Sequence, residues 1–353
     1  MATSQSESGS ESTPGNTMRE RVGNRRGRIY ITVLLNTNRY LVTTGLAIIL
    51  FVLIVAISRL GTTSLRVAMT TDSPVIPVFQ AMIIVSATVV ALVVTINQLV
   101  LAQEIGPLSD QRDRMSGAME FLRNAEKFFS STSPPEPGSF LRALVDTTIN
   151  NAETLNDAVA DTTNDELRER TTQFTEGLVN NATTVSESLE DAQFGQFDVV
   201  QAALDYNYAW KIYQVRRLRK DHGTDLTDDQ REAFEDLEES LISFGPAREH
   251  IKTLYFQWQL VNLSRQIIYI GILAFAVAPG TALFIDAGSF PGTTFGVDNM
   301  TWIISGVFTI VTLPVLLLAS YTLRLATIAK RTLAIGPFIL RSSSRTEDIE
   351  WQD

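Results

Sequence analysis

Side chains able to do chemistry are few. The chain has no cysteine and two histidines, His222 in a turn-forming stretch and His250 in an amphipathic one. Neither stands at a His or Glu spacing that would build a zinc site, and thiol chemistry is excluded outright. Carboxylates are plentiful, and Asp228, Asp229, Glu232, Glu235, Asp236, Glu238 and Glu239 crowd one stretch. Oxygen ligands of this kind suit calcium or magnesium, but the glycine-turned loop of an EF-hand is missing, so they read as a solvated acidic face. Arg216, Arg217, Arg219 and Lys220 follow Tyr206, Tyr208, Trp210 and Tyr213, a mixture that could neutralise and stack on nucleic acid. Helical spacing instead predicts Tyr206, Trp210 and Tyr213 facing a core, with the cations pairing to the acidic stretch or reaching a membrane surface. Glycine-rich phosphate loops are absent. The expectation is a non-enzymatic protein with no cofactor, no metal and no nucleic-acid partner.

A second class of candidate is polar and uncharged. Asn97 and Gln98, with Thr88 and Thr95 before them, lie in an otherwise apolar run, where they can line a narrow pore or hydrogen-bond neighbouring helices. Ala87 and Ala91 form a small-residue pair that admits close helix packing. Pro279 with Gly280, and Pro314, interrupt two other apolar runs as kinks or hinges. Asn299, Met300 and Thr301 match a glycosylation triplet.

The elements that carry these residues follow from hydropathy. Tyr40 to Ser58, Val78 to Leu101, Gln266 to Ile285 and Thr301 to Leu323 hold no Asp, Glu, Lys, Arg or His. Each is about the 20 residues that cross a hydrocarbon core of roughly 30 Å. Without strand-like alternation, a backbone in lipid must be helical. Proton relays, voltage sensors and ion-coupled transport require such ionisable residues within the membrane, so those mechanisms are disfavoured. Arg19, Arg21, Arg25, Arg26, Arg28 and Arg39 precede the first run, and Arg324, Lys330, Arg331, Arg341 and Arg345 follow the last. The bias of basic residues toward the cytoplasm puts both termini there. The short opposite loops hold Arg59, Arg66 and Asp72, then Asp286 and Asp298; the second agrees with this orientation and the first weakens it.

Gln103 to Arg265 is then cytoplasmic. It carries 29 acidic and 16 basic residues, a net charge of −13, and reads as about five helices. Ser131 to Ser139, with Pro134, Pro135, Pro137 and Gly138, reads as a loop; His222, Gly223 and Thr224 break the chain before a helix start at Thr227 and Asp228. Seams of Leu141, Val145, Thr148, Ala152, Leu155 and Val159, and of Leu167, Thr171, Phe174, Leu178, Asn181, Val185 and Ala192, suit a bundle or a weak oligomer contact better than an independent coiled coil. Gly106-Pro107, Gly245-Pro246 and Gly336-Pro337 read as helix terminators, with Pro246 also able to open a helix. Helices over 301–335 and 247–277 would then be about 52 Å and 46 Å long, enough to project from a membrane as a stalk.

Composition adds a habitat. Lysine occurs only at Lys127, Lys211, Lys220, Lys252 and Lys330 among 29 basic residues, against 39 acidic ones and a net charge of −10. An acidic, lysine-poor, threonine-rich chain without cysteine resembles the proteins of salt-in haloarchaea, and the whole resembles an uncharacterised multi-pass membrane protein of that type. The expected organisation is all-α: a disordered tail (1–18) rather than a signal peptide, a basic juxtamembrane segment (19–39), transmembrane helices 1 and 2 (40–102), an acidic cytoplasmic helical domain (103–265), transmembrane helices 3 and 4 (266–323), and a cytoplasmic helix extension and tail (324–353). The function read from this is partner binding or signal relay by the cytoplasmic domain of a cell-membrane protein. The alternative is an oligomeric ion or mechanosensitive channel. Lipid bilayer, a homo-oligomer and a cytoplasmic protein are the associations such a chain can make.

Overall fold

The computed structural model describes residues 38–331, apart from 62–64, 72–74, 130–131, 191, 194 and 196. The expected tail and the basic segment up to residue 37 lie outside the described residues, as do Asp72, Arg341, Arg345 and the last Gly336-Pro337 pair. In order, the elements are α1 (Arg39–Leu60), α2 (Leu65–Thr71), α3 (Val75–Glu104), α4 (Leu108–Ala125), α5 (Pro137–Ala160), α6 (Asp165–Glu190), α7 (Phe197–Asp205), α8 (Tyr208–Asp221), α9 (Asp228–Phe284), β1 (Thr293–Thr294), β2 (Val297–Asp298) and α10 (Asn299–Arg331). The described chain is overwhelmingly helical. Its only strands, among the described residues, form a two-residue antiparallel hairpin, Thr293 opposite Asp298 and Thr294 opposite Val297. Phe295 and Gly296 turn it with φ of 51° and 73°, the positive pair that a type I′ turn needs.

Contacts divide the described residues into two compact units: 38–107 with Phe256–Lys330, and Leu108–Tyr255. In the first, α1, α3, the second part of α9 and α10 are each long and apolar enough to cross a membrane. Their contacts are made by small and apolar side chains. Phe79, Ala274, Ala278, Met300, Ile304 and Val311 form one buried cluster, and Val93, Leu263, Ile267, Leu317 and Tyr321 another. Gly271 lets α9 approach α3, since a Cβ there would lie 2.8 Å from Val90 Cγ2. Large apolar side chains point outward instead, Ile49, Leu53, Ile57, Tyr269 and Ile272 among them, each more than half exposed.

The second unit is a helical bundle. Glu136 caps α5 by accepting from Ser139 N at 2.6 Å, with Pro137 at the first helical position. The proline-rich loop therefore ends at Glu136 and not at Ser139. All six residues of the first seam are buried on α5. On α6 the buried set is Leu167, Thr171, Thr175, Leu178, Asn181, Ala182, Val185, Ser186 and Leu189. Phe174 is only half-buried and Ala192 lies past the helix end, because the face follows the 3.6-residue period of a globular helix and not a strict heptad. The short helix α7 raises the count in this segment above the expected five.

Helix α9 overturns two expectations. It runs for 57 residues without a break at Gly245-Pro246 or at Pro279-Gly280. It starts as expected, and the start is a reciprocal capping box. Thr227 Oγ1 accepts from Gln230 N at 3.3 Å, and Gln230 Oε1 accepts from Thr227 N at 3.1 Å. Gly245 serves packing and not termination: a Cβ there would stand 3.1 Å from Tyr208 Cε2. Leu241, Phe244 and Ala247, all buried around this point, hold the helix together across the proline. Pro314 likewise sits inside the 33 residues of α10.

Candidate functional site

Three of the four expected polar residues of α3 face away from the apolar unit. Thr88, Thr95 and Gln98 are exposed and Asn97 is half-buried. Thr88 Oγ1 donates to Ile84 O at 2.8 Å and Thr95 Oγ1 to Ala91 O at 2.9 Å, so both hydroxyls are satisfied within their own helix. Ala87 and Ala91 share this outward face. The centre of the unit is filled by the two apolar clusters, so a channel lined by these groups needs several copies of the chain.

The polar groups that do meet inside the unit are others. At the end where α1 begins, the Tyr321 hydroxyl donates to Gln266 Oε1 at 3.0 Å, and the Arg39 guanidinium lies 4.4 Å from the Tyr321 ring centroid. One turn from there, Thr43 Oγ1 donates to Ser320 Oγ at 3.1 Å, and Ser320 Oγ to Leu317 O at 2.8 Å. Arg324 is buried at the same end. Midway along, Ser86 Oγ donates to Val311 O at 2.9 Å, next to Ile310, whose carbonyl loses its helical donor to Pro314. The Tyr321–Gln266, Thr43–Ser320 and Ser86–Val311 bonds each join two helices, which is what a scarce polar group in an apolar bundle does well.

At the opposite end the loops are locked by arginine. Arg66 Nε donates to Asp298 Oδ2 at 3.0 Å and Arg66 Nη2 to Asp298 Oδ1 at 2.9 Å, a two-pronged pair. The same guanidinium donates to the carbonyls of Ala287, Ser289 and Phe290, and Arg59 donates to that of Phe295. The hydrogen bond from Arg66 holds the Asp298 carboxyl below its usual range, helped by the bond from Met300 N. Asp298 in turn raises Arg66. The two loop charges that seemed to disagree about orientation are one neutral pair. Asn299 is committed as well, with Nδ2 donating to Pro291 O at 3.1 Å and Oδ1 accepting from Thr294 at 2.7 Å, so the glycosylation triplet does not offer a free amide.

In the helical unit the basic run pairs with the acidic stretch of α9: Arg216 and Arg219 both reach Glu238 at 3.2 Å, and Arg219 reaches Glu235 at 3.5 Å. The aromatic expectation is partly overturned. Tyr206 and Tyr208 are buried, but Trp210 stacks on the exposed Tyr213, centroids 5.6 Å apart. Tyr206 precedes α8, so helical spacing counted through it mis-phases the face; Lys211, Ile212 and Val215 take the inner positions. Lys211 is buried with its ammonium 2.6 Å from Asn181 Oδ1 and 4.6 Å from the Tyr206 ring centroid. The Tyr206 hydroxyl lies in the core beside Thr148 without a hydrogen bond, and burial pushes its pKa up. An open groove of about 410 Å³ between α5 and α6 is lined by Glu153, Asn156, Asp157, Thr175, Glu176 and Asn180. Its carboxylates are not gathered: among the described residues no group of three or more His, Asp or Glu is placed to hold a metal ion. His222 is buried beside the turn after α8, while His250 lies exposed on α9.

The sequence reasoning missed Gln266, Ser320, Tyr321, Thr43 and the Arg66–Asp298 pair. The available signal was the presence of opposite charges in two short loops and of hydroxyl and amide groups near the ends of apolar runs. No curated protein and no solved structure matches the chain. A family model does, from residue 3 to residue 353, and the chain therefore belongs to the family of unknown function DUF7972.

Proposed function

We propose that the chain is a non-enzymatic, multi-pass protein of the cell membrane whose acidic helical unit lies in the cytoplasm and binds a protein partner or relays a signal. The observation that carries this is α9. One uninterrupted helix supplies core residues of the helical unit, such as Phe234, Leu241 and Tyr255, and then, from Phe256 on, an apolar span packed on α3 and α10. A partner that alters the packing of α5, α6 or α8 acts on a helix that continues into the apolar unit. Both termini are assigned to the cytoplasm by the arginines before the first span and after the last. The low lysine content and acidic surface further support a cell interior at molar salt.

Photo-crosslinking of the full-length protein in living cells tests the partner reading. A crosslinking residue at exposed Glu187 or Ser188 should trap a defined cytosolic protein; adducts with nothing but the chain itself would sink the reading. A second reading, an oligomeric channel, is favoured by the outward Thr88, Thr95 and Gln98 with Asn97 beside them. It requires single-channel currents from reconstituted protein that change in Asn97→Ala and Gln98→Ala; silence across ions and applied tension removes it.

A further inference from the structure

Helix α4 has almost no tertiary support. Every residue from Leu108 to Glu120 is exposed, and the helix meets the rest of the bundle only near its end, where Phe121 and Leu122 are half-buried and Ala125 is buried. A helix of 18 residues left to itself in water is marginal. Its exposed apolar residues are nonetheless ordered in a stripe. At about 100° per residue, Leu108, Met115, Met119 and Leu122 fall on one side. Leu108 is 81% exposed, Met115 65% and Met119 46%.

The charges around the stripe say what covers it. Arg112 and Arg123 border it on one edge and Arg114 approaches it on the other, while Asp110, Asp113 and Glu120 occupy the far side. Among the described residues none of the three arginines makes an ion pair. A second copy of this face would set arginine against arginine. A bilayer surface offers hydrocarbon beneath the stripe and phosphates level with the guanidinium groups, which is how interfacial helices are held. The chain also starts α4 within reach of a span: only Ile105, Gly106 and Pro107 separate it from α3, and Ile105 is 69% exposed.

We propose that α4 is an interfacial helix lying in the headgroup region of a phospholipid bilayer, its Leu108–Met115–Met119 stripe in the lipid and Arg112, Arg114 and Arg123 at the phosphates. The proposal rests on the membrane reading above. The chain has no cysteine, so single cysteines report cleanly. Full-length protein carrying a fluorophore at Met115→Cys, Met119→Cys, Gly117→Cys or Leu53→Cys is reconstituted into vesicles of phosphatidylcholine and phosphatidylglycerol, with or without brominated acyl chains. Leu53 is an outward residue of α1 and reports on the span itself. Brominated lipid should quench the labels at Leu53→Cys, Met115→Cys and Met119→Cys, and leave Gly117→Cys, on the polar face, at its original intensity. Quenching at Leu53→Cys with Met115→Cys and Met119→Cys as bright as Gly117→Cys overturns the α4 proposal and leaves the membrane reading standing. No quenching at Leu53→Cys overturns both. Spin labels at Met115→Cys that broaden one another, and sharpen on dilution with unlabelled protein, would put a second copy on the stripe and overturn it too.

Discussion

Arg66 is committed to one carboxylate and three carbonyls, and it gathers the loops at one end of the apolar unit. Lysine cannot reproduce the two-pronged bond to Asp298. Arg66→Ala and Arg66→Lys should both speed hydrogen exchange at the Met300 amide, which donates to Asp298 Oδ1; unchanged exchange in Arg66→Lys would show that charge alone suffices. The pH dependence follows from the depressed Asp298 carboxyl. Such a group stabilises the fold above the ordinary Asp value of about 3.9 and loses that contribution as pH falls through the depressed value. The loop lock should therefore hold unchanged from pH 5 to 8 and open only in strong acid, and Asp298→Asn should abolish that acid transition in the exchange rates. Inside the helical unit, the unbonded hydroxyl of Tyr206 makes a contrasting case. Tyr206→Phe keeps the ring that faces Lys211 and removes an unsatisfied polar group, so stability should change by less than about 1 kcal/mol. Tyr206→Ala empties a fully buried site and should cost about 3–5 kcal/mol by denaturant titration.

At the scale of elements, the apolar runs were plain in the sequence because a hydrocarbon core demands a long uncharged stretch, and Thr227 and Asp228 announced the start of α9, though not the reciprocal bond from Gln230. The continuity of α9 was not legible. Gly245-Pro246 carries the local signature of a helix end, and only the tertiary contact of Tyr208 on Gly245 shows why glycine is there. The outward phase of Thr88, Thr95 and Gln98 was hidden for a related reason: a helix apolar on every side has no periodicity to reveal which face meets its neighbours. Lys211 was missed because a lysine reads as solvated when no partner is near it in sequence, and its burial depends on Asn181, a residue 30 positions away. The α3–α9 contact gives a direct test. Gly271→Ala places a methyl 2.8 Å from Val90 Cγ2 and should destabilise the apolar unit by about 1–3 kcal/mol. Val90→Ala in the same chain should restore most of it in a thermal melt in detergent; failure to restore would mean that Gly271 is needed for some other reason.

At the scale of the molecule, four apolar helices and an acidic helical unit share one chain, and α9 takes part in both units. The acidic unit carries most of the excess carboxylates, whose mutual repulsion is screened to about 3 Å at molar salt. The helical signal of the purified protein should persist at molar potassium chloride and fall as salt is lowered to about 0.1 M, where the Debye length is near 10 Å; a melt insensitive to salt would contradict the high-salt habitat. The proposed function rests on the membrane topology. Because the chain lacks cysteine, it can be read with two single substitutions, Thr293→Cys in the hairpin and Ser188→Cys on α6, and a membrane-impermeant maleimide added to intact cells. Labelling of Thr293→Cys alone is expected, with Ser188→Cys labelled only after the cells are lysed. Labelling of Ser188→Cys in intact cells, with Thr293→Cys protected, would contradict it.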